Sequence, residues 1–60
     1  MKQTKEVITD WIERVNTEGR GLSKWESSFM ESITDQFERS RSLSDRQEEI
    51  LERIYAEKTS

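Results

Sequence analysis

The chain predicts an all-α fold, a small three-helix bundle forming one domain over residues 1–60, on three observations. Ser23-Lys24-Trp25-Glu26 and Ser44-Asp45-Arg46-Gln47 both read Ser-x-x-Glu/Gln, the reciprocal capping box that marks a helix start. Apolar residues fall in three stripes at helical spacing, each beginning near such a start or after a break. Nothing alternates with period two for long enough to make a strand.

The first helix is expected over 4–17. Val7, Ile8, Trp11, Ile12 and Val15 share one broad face, with Glu6, Asp10, Glu13 and Arg14 opposite. Asp10 and Arg14 form an acid-before-base pair four residues apart. Gly19 and Gly21, the only glycines in the chain, supply left-handed conformations that end this helix. Gly19-Arg20-Gly21 lacks the following Lys-Ser/Thr of a phosphate-cradling loop, so a helix stop is its role.

A second helix is expected over 24–39, capped by Ser23 and Glu26. Trp25, Phe29, Ile33 and Phe37 recur every four residues, a row that drifts round the helix and meets two neighbours. Met30 lies beside the row and fills gaps. Arg39 and Arg41 fall near its C-terminus, where cations complement the helix dipole. The third helix, expected over 45–57 and capped by Ser44 and Gln47, turns Leu43, Ile50, Leu51 and Ile54 inward. Its glutamates, Glu48 among them, cover the outside. The predicted core is therefore Val7, Ile8, Trp11, Ile12, Val15, Trp25, Phe29, Ile33, Phe37, Leu43, Ile50, Leu51 and Ile54.

Composition excludes more functions than it suggests. The chain has neither histidine nor cysteine, which removes zinc-ligand sets, disulfides and Cys–His or Ser–His nucleophile pairs. No metal and no cofactor is expected, and the chain is read as a non-enzyme. Glu48 and Glu52 are spaced for acid–base work, but an exposed glutamate-rich face gives no pocket to shift their pKa values. No apolar run is long enough to span a bilayer or to act as a leader, so a cytoplasmic protein with no membrane partner is expected.

Recognition is what remains. Ten basic against thirteen acidic residues give a net charge of −3, which suits docking on a basic protein surface better than nonspecific DNA binding. Nucleic acid is the alternative partner. Arg39, Arg41 and Arg46 surround a serine-rich turn that would hold a phosphate backbone, with Arg20 and Lys24 extending the patch. Ordinary helix-end electrostatics explains the same cations. Self-association as a homodimer is a third reading, since so short a chain buries a small core.

From Leu22 to Tyr55 the chain resembles a short helical module of uncharacterised bacteriophage and bacterial proteins. The resemblance is carried by Trp25, Glu26, Phe29, Ser32, Ile33, Leu43, Ser44, Gln47, Leu51 and Ile54. It implies an accessory role in DNA replication, recombination or transcription control, in a bacterial or phage-infected cell. No activity transfers with it, and residues 1–21 have no counterpart.

Overall fold

The computed structural model describes residues 3–59, and these form three helices: α1 (Lys5–Glu18), α2 (Lys24–Ser40) and α3 (Asp45–Lys58). All three start on a capped residue. Thr4 accepts the Val7 N–H at 3.2 Å and stands outside α1 as its N-cap. Both expected capping boxes are complete. Ser23 N–H donates to Glu26 Oε1 at 2.8 Å while Glu26 N–H donates to Ser23 Oγ at 3.1 Å. Ser44 and Gln47 repeat the exchange at 2.9 and 3.1 Å.

The ends are less uniform. Gly21 is left-handed at φ 68°, whereas Gly19 is not. Gly19 has φ −63°, and its need for glycine is steric: an added Cβ would lie 2.5 Å from the Val15 carbonyl oxygen. The left-handed residue that closes α2 is Arg41, at φ 57°, with its N–H donated to the Phe37 carbonyl at 2.8 Å.

The core is Ile8, Ile12 and Val15 of α1, Met30, Ile33 and Phe37 of α2, Leu43 of the second loop, and Leu51 and Ile54 of α3. Helix α1 packs on α3 more extensively than either packs on α2, so α1 is integral to the bundle and not an addition to the α2–α3 hairpin of 23–57. Trp11 seals the α1–α3 seam by stacking on Tyr55, with ring centroids 5.4 Å apart. Val7, Trp11, Phe29 and Ile50 sit at the edge, half-buried rather than central.

Trp25 and Glu48 depart further from expectation. Trp25 is not core: it is 60% exposed. A four-residue step advances an α-helix by about 400°, so each step turns the row by about 40°. From buried Phe37 back through Ile33 and Phe29, three steps carry Trp25 about 120° away from the core. Met30 takes the inward place, giving a buried 30–33–37 stripe. Glu48 is not outside: it is 8% exposed, and its Oε1 accepts the Gln3 N–H at 3.0 Å. The segment leading into α1 lies over the first turn of α3 and covers this carboxylate.

Candidate functional site

The five expected nucleic-acid contacts are all exposed but do not form one patch. Arg20 and Lys24 lie where the first loop meets the end of α3. There the Arg20 N–H donates to the Lys58 carbonyl at 3.2 Å and Lys58 Nζ donates to the Gly21 carbonyl at 3.3 Å. Arg39 and Arg41 lie at the other end of α2, roughly 22 Å along its axis from Lys24 at 1.5 Å per residue. Arg39 is paired with Asp35 at 3.3 Å.

The turn between α2 and α3 also spends its polar groups internally. Gln36 and Gln47 exchange two amide hydrogen bonds at 3.0 and 3.1 Å. Gln36 Nε2 also donates to the Ser42 carbonyl at 3.2 Å, and Ser40 Oγ donates to the same oxygen at 3.3 Å. At the start of α3, the Gln47 N–H that would meet a phosphate already donates to Ser44 Oγ. The turn is a structural joint.

Arg46 belongs elsewhere. It lines a groove of about 460 Å³ on the outer α2–α3 face, together with Ser23, Trp25, Glu26, Ile50, Arg53 and Ile54. Trp25 stacks on Phe29, four residues on, with centroids 5.3 Å apart and planes within 12°. One wall is thus an aromatic ledge from α2. The other is the stripe Arg46, Ile50 and Arg53 on α3, spaced at i, i+4 and i+7, which places all three on one helix face.

Charge in the groove is asymmetric. Glu26 is committed: it caps α2, and its Oε1 lies 3.7 Å from Lys58 Nζ, the two side chains being only 18% and 25% exposed. The Ser23 backbone N–H holds the Glu26 carboxyl below the ordinary glutamate range; desolvation opposes it, and the Lys58 ammonium adds a smaller lowering effect. Arg46 and Arg53 have no carboxylate within 4.0 Å among the described residues. Glu49, between them in sequence, is exposed and pairs with neither.

A larger cleft of about 670 Å³ runs between α1 and α2. Its floor is Ile12 and Phe37, and several polar groups of its rim bond one another. Asn16 donates to Thr34 at 3.2 Å, Thr17 donates to the Glu13 carbonyl, and Arg14 pairs with Asp10 at 3.2 Å. The hydrogen bond that Arg14 Nε donates to the Asp10 carboxylate, reinforced by that group's charge, raises the Arg14 pKa. The α2–α3 groove differs in its exposed aromatic surface, which stands beside Arg46 and Arg53.

Among the described residues, no group of three or more Asp or Glu stands close enough to hold a metal ion, and no helix is long and apolar enough to cross a membrane. No family model, curated protein or solved structure matches the chain. The resemblance of 22–55 to a phage and bacterial module therefore gains no named family.

Arg53 was missed as a site residue in the sequence, and Trp25 reads there as core ahead of its alternative as an aromatic anchor for a partner. The available signal was the phase of the rows: 46, 50 and 53 share one face of α3, and Trp25 lies a third of a turn from Phe37.

Proposed function

We propose that this chain is a non-enzymatic recognition module that docks on another protein through the α2–α3 groove. One observation carries the reading: Trp25, stacked on half-buried Phe29, projects from a bundle whose buried core closes without it. An exposed tryptophan flanked by arginines has the composition of an interface hot spot, where Trp and Arg are enriched and apolar contact is ringed by polar groups. Trp25 also stands over a half-buried phenylalanine, which holds its ring in one place and lowers the entropy lost on docking.

The assembly served is, on the resemblance of 22–55, one of DNA replication, recombination or transcription in a bacterial or phage-infected cell. Direct nucleic-acid binding through the second turn draws less support, because its serine and glutamine donors are engaged, Arg39 is paired with Asp35, and Arg20 and Lys24 lie apart from Arg39 and Arg41.

The test compares wild-type chain with Trp25→Ala as bait in extracts of the native cells. Both baits should show the same helical circular dichroism and melting temperatures within about 3 °C, since the removed side chain is mostly solvated. A protein retained by the wild type and lost by the variant supports the reading. Equal retention by both baits, or binding only to short DNA with a steep salt dependence, overturns it.

A further inference from the structure

From the α2–α3 groove, and resting on the docking reading above, we infer that its occupant is an acidic amphipathic helix of a partner protein. The helix lays an apolar residue on Ile50 and the Trp25 ledge, and sets carboxylates against Arg46 and Arg53. The argument is charge complementarity with a fixed register. Arg46 and Arg53 are seven residues apart, two helical turns and about 10 Å along α3. Ile50 lies between them on the same face. A helix running along this stripe meets cation, apolar surface and cation in that order. Its complement is an acid, an apolar residue three or four positions on, and a second acid at position seven.

The remaining charges in the groove do not compete for these arginines. Glu26 is held by the Ser23 N–H and Lys58, while the ion pairs Arg14–Asp10 and Arg39–Asp35 lie on other faces. Guanidinium groups suit this task because their planar fork binds a carboxylate through two parallel donors.

A second copy of the chain fits less well. A stable interface of standard size covers about 800 Å² on each partner, close to a fifth of this molecule's 4435 Å². The apolar lining of the groove is Trp25, Ile50 and Ile54, with Trp25 the only exposed large apolar side chain among the described residues. That area suits one helix.

Isotope-labelled full-length chain is titrated with three probes. The first is a short Leu/Ala/Glu helical peptide carrying two glutamates seven residues apart with a leucine between them. The second is the same peptide with lysine for glutamate, and the third is a thymidine oligonucleotide. The acidic peptide should shift the amide signals of Trp25, Phe29, Arg46, Ile50 and Arg53, and the other probes should not. The double variant Arg46→Glu/Arg53→Glu should weaken the acidic peptide by about tenfold or more and bind the lysine peptide instead. Both substitutions are at exposed helical positions, and an acid at 46 suits the start of α3, so the variant keeps its fold, as circular dichroism checks. Equal response to both peptides, a stronger response to the oligonucleotide, or no response to the acidic peptide at millimolar concentration overturns the inference. A cellular partner lost by Trp25→Ala but kept by the double variant would leave the docking reading standing and remove the acidic helix.

Discussion

Arg41 occupies, at φ 57°, the left-handed conformation that glycine usually supplies where a helix ends in one. A left-handed L-residue costs about 1–2 kcal/mol, and glycine gives back about 0.5–1 kcal/mol of that in unfolded-chain entropy. Arg41→Gly should therefore stabilise the fold by about 0.5–1 kcal/mol in urea denaturation. Unchanged or lower stability would mean that the guanidinium makes an interaction worth the strain. Gly19 is the converse case. Its φ is ordinary, but the Val15 carbonyl leaves no room for a Cβ, so the steric demand is set by the last turn of α1. The glycine pair marks the end of α1 in the sequence, while the reason each glycine is required differs.

At the scale of elements, the two capping boxes differ in one atom group. Glu26 closes α2 with a carboxylate, and Gln47 closes α3 with a neutral amide. Because the Glu26 pKa is lowered in the fold, its contribution is fully present above the ordinary glutamate value of about 4.3. It is lost as pH falls through the lowered value. Glutamine preserves the cap geometry, as Gln47 demonstrates. Glu26→Gln should thus melt below the wild type at pH 7 and converge with it toward pH 2–3. A constant gap across thermal melts in that range would show that the charge contributes nothing. Helix starts were legible in the sequence because capping is local. The face each helix turns inward was only partly legible. Phe37 and Ile33 read correctly, but Trp25 did not, because a four-residue row loses phase over three steps. Glu48 also escaped, because its cover comes from Gln3, forty-five residues away, and no local pattern encodes that contact.

The whole molecule measures 27 × 19 × 19 Å and closes its core with side chains from all three helices. Every buried side-chain nitrogen and oxygen among the described residues has a hydrogen-bond partner, so nothing in the interior calls for a second chain to complete it. The melting temperature should be the same over a hundredfold range of protein concentration. An increase with concentration would indicate a self-associating protein instead. The first and last helices pair most closely, which ties 5–18 into the fold although the resemblance reached only 22–55. The part that looked separable by motif is not separable by packing. The polar groups of the second turn, which suggested phosphate contacts by composition, are instead used to join α2 to α3.

The two indoles occupy unlike surroundings, one stacked on Tyr55 in the seam and the other standing in water above Phe29. Their intrinsic emission consequently divides the labour of a reporter. Collisional quenchers in solution reach Trp25 and are screened from Trp11, so unfolding and occupancy can be followed as two separate optical signals in unlabelled material.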